Sequence, residues 1–347
     1  SIDNSLLQQE IFIFYYFGMN IIDWSAIIIT IILQTLFFTV GMQYNKKIIN
    51  FSAMTVYAGL LIFFFVVLLS DVKITTEAFS NIFNLNNFLD VNNLAPLLTV
   101  AGTIFAYFSI LIISFGDFSR YVKNEQELKK GNLSLILNLI IFSFLSVFIV
   151  IGSDVFLNQK FSDIDRIFTN PTDIVGKFDN IQITIVVLFF IIIASASTNL
   201  VANFIPSQYS LINFAPSILS LKSASYLIAF FGLLIAIFWL TILSQIGILS
   251  FVDTFGAFFG PLFGVMAADY YLIKNQELSN KDLYSIDKES AYYYSGGWHI
   301  KGVYSLIFGF IFSASTIWNT NLMFLQSYAW IIGAFVAWIT YYLLAKK

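Results

Sequence analysis

The sequence predicts an all-α integral membrane protein with about nine transmembrane helices. Three observations carry this. Hydrophobic residues make up 59% of the 347 positions and charged residues 11%, where a soluble domain carries roughly 25% charged residues. The mean hydropathy is +0.83. Apolar runs of about 18 residues or more, enough to cross a hydrocarbon core, recur along the whole chain, with the charges gathered between them. A lipid bilayer is therefore the expected surroundings. The net charge of −3 comes with no basic cluster, so no nucleic-acid partner is expected. The absence of cysteine excludes disulfides and thiolate metal sites.

Taken in order, residues 6–18 (LLQQEIFIFYYFG) are too short to span and fit the interface or the end of a preceding helix. Nine spans follow, at about 21–40, 52–70, 95–115, 132–152, 181–205, 224–244, 247–273, 302–318 and 322–344. The polar connectors Asp71–Leu94 and Asp154–Asn180 read as loops with short interfacial helices. If the loop after the first span is inside, four basic residues fall outside: Lys73, Lys160, Arg166 and Lys177. The other thirteen of the 17 are then cytoplasmic. By the positive-inside rule the N-terminus is expected outside and the C-terminus inside. An external start without a signal peptide leads to the expectation that an odd number of spans precedes Ser1.

Chemistry concentrates in the fifth span. Its stretch IIIASASTNLVANFIP sets Ser195, Ser197, Thr198, Asn199 and Asn203 in hydrocarbon and then interrupts the helix ladder with Pro206. Positions three and four apart share a helix face, so Ser197 and Thr198 lie beside the Ala194 carbonyl. Three oxygens there suit a small hard cation. Equally, serine and threonine hydroxyls bond back to the preceding turn, and small side chains admit a neighbouring helix. Asn199 and Asn203 lie on another face, about 140° separating Thr198 from Asn203 on an ideal helix. An amide there serves either a neighbouring helix or the urea or lactam edge of a ligand, since it offers donors and acceptors together.

In the third span, Tyr107 and Phe108 supply either core packing or a stacking face for a planar ring. The seventh span repeats Gly256, Gly260, Gly264 and Ala268 around Pro261, a stripe for close packing or for a moving gate. The lone histidine, His299, allows neither a histidine metal cluster nor a His-based triad, and no phosphate-binding glycine loop is present. No catalytic residues and no enzyme activity are expected.

Several motifs then fall in one order: Asp117-Phe118-Ser119-Arg120-Tyr121, Ser197-Thr198-Asn199-x-x-x-Asn203, Ala267-Ala268-Asp269-Tyr270-Tyr271, Lys281-Asp282-Leu283-Tyr284 and Tyr292–Trp298 (YYYSGGW). In this the chain resembles the nucleobase–cation symporter family, permeases of hydantoins, allantoin, uracil, cytosine and purines. His299 stands where the family pattern has asparagine.

The resemblance implies the fourth to twelfth helices of a twelve-helix, five-plus-five inverted-repeat fold, within a single transmembrane domain over 1–347. The second repeat would be complete at 95–273, and 302–344 would be two accessory helices. Ala194 (carbonyl), Ser197 and Thr198 would be sodium ligands, completed by carbonyls of a first helix. Asn203 would hydrogen-bond the substrate. Phe108 would occupy the place of a stacking tryptophan, and Tyr107 that of the glycine before it.

The implied function is sodium-coupled symport of a nucleobase or related planar nitrogen heterocycle by alternating access, in a bacterial inner (plasma) membrane. Sodium is the coupling ion and no other cofactor is expected. The alternative is a non-transporting membrane scaffold or an inactive fragment of such a transporter.

Overall fold

The computed structural model describes residues 15–39, 42–70, 90–160, 181–238, 248–283 and 287–346, with isolated positions between 72 and 84 and at 285. Among these no β-strand forms; isolated bridges close tight turns at Tyr16–Met19 and Ser295–Trp298. Eight helices are long and apolar enough to cross a membrane. The first predicted span forms helix α1 (Ile21–Thr39), but its apolar run Ile21–Phe37 is shorter than the other eight. At 1.5 Å per residue such a run reaches only about 26 Å, just under the usual core thickness. Most of 6–18 and of Asp154–Asn180, and half of Asp71–Leu94, lie outside the described residues.

The chain divides into two compact units, residues 1–88 with 117–241, and residues 89–116 with 242–347. In the first unit, α1 is followed by α2 (Met42–Ser70). The second unit contributes α3 (Val91–Ile113), and the short α4 (Phe115–Ser119) sits at the boundary. The first unit resumes with α5 (Glu125–Lys160), whose helix runs on into the residues read as a connector. The fifth span is composite: α6 (Ile181–Asn199), a π-turn at Leu200–Phe204, then α7 (Ile205–Phe214). Helix α8 (Leu221–Phe238) completes the unit.

Within the first unit α1 packs on α8, and α2 packs on α5 and α6. Leu200 and Phe204 form a small core with Ile49 and Ile228. Apolar contact between helices is weakly selective in lipid, so polar pairs fix the partners. Tyr57 on α2 donates to Asn138 Oδ1 on α5 at 2.7 Å. Gln208 on α7 donates at 2.8 Å to Leu221 O and also to Ser225 Oγ on α8.

The second unit is built around α9 (Ile248–Ala268), which ends in a second π-turn at Asp269–Ile273. Beyond the short α10 (Asn280–Leu283) come α11 (Ile300–Trp318), a 3-10 helix (Thr320–Tyr328) and α12 (Ala329–Ala345). Helix α9 packs on α12, α11 and α3. The glycine stripe explains how. A Cβ on Gly260 would strike the Trp330 carbonyl, one on Gly264 the Ala334 carbonyl, and one on Gly256 would come within 2.5 Å of the Ala106 Cβ. Pro261 is buried opposite Gly333 and Gly309. Backbone meets backbone at Gly260 and Gly264, and the Ala106 methyl lies against Gly256, as the close-packing alternative expects.

Candidate functional site

Pro206 has no N–H to donate and its ring crowds the preceding turn. The chain answers with the π-turn, in which Ile205 N–H reaches back five residues to the Leu200 carbonyl. Such turns occur mostly as single insertions in helices, frequently at functional positions. A π-turn is wider, so each residue advances by less than the α-helical 100°. Asn203 therefore lies closer to the Thr198 direction than an ideal helix places it.

Ser197 Oγ donates to the Ala194 carbonyl at 3.1 Å, so the expected convergence of these two oxygens is present, made by back-bonding. Ser197 and Ala194 are half-buried and Thr198 is exposed. A hydroxyl that donates its hydrogen keeps its lone pairs, so the trio still offers oxygens to a hard cation. All three residues lie on one helix, so a six- or higher-coordinate ion there would need its other ligands from elsewhere. Among the described residues no group of three or more His, Cys, Asp or Glu competes for a metal.

The asparagines form a directional chain. Asn203 Nδ2 donates to Asn199 Oδ1 at 2.8 Å, and Asn199 Nδ2 donates to Gln34 Oε1 on α1 at 2.6 Å. The sequence reading missed Gln34, though a signal was there: it is the one amide inside the apolar run of α1. Asn203 itself is exposed, and Ser207 Oγ covers its backbone carbonyl at 2.6 Å.

Tyr107 and Phe108 lie in the second unit on α3, which stays continuous through both residues and breaks only at Ser114. A tyrosine in place of a glycine gives the backbone no reason to leave the helix there. Both rings are exposed and meet edge-to-face, centroids 5.2 Å apart.

The remaining motifs organise helix ends. Asp117 and Arg120 approach to 3.7 Å, and the Arg120 guanidinium lies over the Tyr209 ring on α7 at 4.4 Å. Burial raises the Asp117 pKa, and Arg120 only partly opposes it. The hydroxyls of Tyr121 and Tyr209 hydrogen-bond. In the second unit, Asp269 accepts from Tyr341 Oη at 2.5 Å and pairs with Lys274 at 2.8 Å. His299 stacks on Tyr294 with centroids 3.9 Å apart, and its Nε2 lies 3.3 Å from Tyr341 Oη.

Burial acts against the charge on Lys274, but Asp269 and Tyr294 outweigh it and its pKa rises. Burial lowers that of His299, with Asp269 opposing and Lys274 and Lys301 adding. A cavity of about 680 Å³ adjoins this cluster, and another of about 660 Å³ lies by Asp23, Ile27 and Gly232. Neither is lined by the fifth-span stripe.

Comparison with known proteins accords with these motifs. The family described as permease for cytosine/purines, uracil, thiamine, allantoin matches residues 12–341. The chain is 27% identical to the allantoin permease of Bacillus subtilis (strain 168) over 244 residues, 70% of this chain and 48% of that protein. It is 25% identical to the purine-uracil permease NCS1 of Arabidopsis thaliana over 255 residues, 70% of this chain and 41% of that protein. With the hydantoin permease of Microbacterium maritypicum it shares 29% identity over 138 residues, 39% of this chain and 27% of the relative. The chain thus spans about half the length, or less, of the curated relatives it matches. No solved structure gives a significant match. An all-helical membrane chain carrying these motifs, matched over nearly its whole length, belongs to the family of permeases for cytosine/purines, uracil, thiamine and allantoin.

Proposed function

We propose that the protein takes part in cation-coupled symport of a nucleobase or related planar nitrogen heterocycle, with sodium as the coupling ion and alternating access as the mechanism. The observation that carries this is the polar stripe of the fifth span, with a hydroxyl–carbonyl pair at Ser197 and Ala194 and, six residues beyond Ser197, an exposed amide at Asn203. Polar groups in hydrocarbon are expensive unless used. Sodium would bind Ala194 O, Ser197 Oγ and Thr198 Oγ1 together with ligands from another segment. The heterocycle would hydrogen-bond Asn203; Phe108 with Tyr107, in the second unit, would offer a stacking face for a planar ring. Binding of the ion would stiffen the α6–π-turn junction and so favour the heterocycle, each ligand raising the affinity for the other by the same factor. By the distribution of basic residues the N-terminus faces outside and the C-terminus the cytoplasm.

The test is uptake of labelled uracil, allantoin and hydantoin by cells producing the protein, with sodium or choline outside. The double change Ser197→Ala with Thr198→Ala is expected to abolish the sodium dependence. Uptake that stays equally sodium-dependent overturns the cation site. No uptake, and no ligand-linked thermal shift from any of these compounds, favours the non-transporting scaffold.

A further inference from the structure

We infer that Gln34 is a positioning residue that fixes which atom of the Asn203 amide faces the ligand, and so selects heterocycles that present a ring N–H. This rests on the reading of Asn203 as a ligand-binding group.

An amide side chain has two unlike ends and turns to suit its neighbours. In isolation Asn203 has no reason to prefer either orientation, and a site with a freely turning amide discriminates poorly between donors and acceptors. The chain of amides ties its orientation to that of Gln34, so the three amides turn together. Gln34 presents Oε1 to Asn199 at 2.6 Å. Asn199 must then point its Nδ2 at Gln34, which leaves Oδ1 directed at Asn203; the 2.8 Å bond from Asn203 Nδ2 follows. Asn203 is left with Oδ1, an acceptor, away from the chain. Among the described residues nothing else binds its side-chain amide, and the residue is exposed.

Gln34 alone anchors the chain from a different helix. Thr35, next to it, donates its hydroxyl hydrogen to the Ile31 carbonyl at 2.7 Å. A ligand N–H facing Asn203 Oδ1 completes the row with every donor matched. A ring nitrogen lacking its hydrogen, or carrying a methyl group, sets an acceptor or an apolar group against a polar oxygen, which costs more than a merely absent bond.

The experiment compares wild type, Gln34→Met, Gln34→Glu and Asn203→Ala in uptake of uracil and of its N3-methyl derivative. Binding is also read by thermal shift on purified protein, so a variant that reaches the membrane poorly is still scored. Gln34→Met keeps the shape but not the acceptor. It is expected to raise the KM for uracil about tenfold, the order of one lost hydrogen bond, and to reduce the preference for uracil over the methylated compound. Gln34→Glu, whose carbonyl still accepts, is expected to stay within about twofold of wild type in both.

A purely structural Gln34 would lower the maximal rate and the melting temperature while leaving KM and the preference unmoved, and that outcome overturns the inference. If Asn203→Ala raises KM but Gln34→Met does not, the relay fails and the reading of Asn203 stands. If Asn203→Ala changes neither, the reading of the site itself fails.

Discussion

Tyr341 donates its hydroxyl hydrogen to Oδ1 of Asp269 at 2.5 Å, joining the last helix to the end of α9 across 72 positions of chain. Tyr341 is 1% exposed, so this bond has no water to replace it. The other carboxylate oxygen takes Lys274 at 2.8 Å, where both side chains are partly exposed and screened. Tyr341→Phe is therefore expected to destabilise the protein by about 1.5–3 kcal/mol, the usual range for a hydrogen bond to a charged group. Lys274→Met should cost no more than about 1 kcal/mol. Thermal unfolding of the two variants in detergent gives the comparison, and a larger effect for Lys274 would reverse it.

The glycines sort into two groups. A Cβ at Gly264 meets the Ala334 carbonyl, which is backbone and cannot swing away. Gly264→Ala is expected to cost about 1–3 kcal/mol by forcing α9 and α12 apart. Gly131 in α5 has open space around its missing Cβ. Gly131→Ala should be neutral or stabilise by up to about 1 kcal/mol, because it lowers the entropy of the unfolded helix. Melting temperatures of the pair, shifted in opposite directions, check the assignment.

Asp253 on α9 is 5% exposed, and Gln326 Nε2 donates to its Oδ2 at 2.8 Å. Removing one partner of such a pair costs more than neutralising the charge. Gln326→Leu leaves a buried carboxylate without its donor and is expected to cost about 2–4 kcal/mol. Asp253→Asn keeps an acceptor for Gln326 and loses no more than about 1 kcal/mol. Equal losses in the two variants would mean that the pair is hydrated.

His299 gives a pH dependence of definite sign. Burial places its folded pKa below the ordinary imidazole value of 6.5, and Lys274 and Lys301 add to the shift against Asp269. The unfolded chain then takes up the proton more readily than the folded one. Stability is full above that value and is lost as pH falls from it through the folded pKa. His299→Asn, which cannot titrate, should show a flatter melting profile than wild type over about pH 5 to 7. Parallel profiles would mean that His299 titrates normally.

Much of this was legible in the residues. Runs of hydrophobic side chains mark membrane-crossing helices because the solvent there is uniform and demands only length and apolarity. The stretch from Ser195 to Asn203 stood out for the same reason, and the i, i+3 spacing put Ser197 on the Ala194 carbonyl, where the structure has it. The glycine stripe at 256, 260 and 264 announced a close approach, since the missing side chains let a neighbouring helix come in against the backbone. Helix partners were not legible. In lipid one apolar face is as good as another, and the choice falls to single long-range polar contacts such as Asn199 with Gln34, which no local pattern contains.

The π-turn before Pro206 belongs to the same class. Proline announces a fault in the ladder, but whether the helix kinks, stops or widens depends on what packs around Leu200 and Phe204. Composition and periodicity thus determined that this protein is a bundle of membrane helices with a polar stripe in the fifth span. Tertiary structure alone decided that α9 is locked against α12, that Asp269, His299 and Tyr341 meet, and that Gln34 on α1 hydrogen-bonds Asn199 on α6. The physical reason is that local sequence sets a residue's solvent and helix face, whereas hydrogen-bond partners distant in the chain are chosen only when whole helices pack.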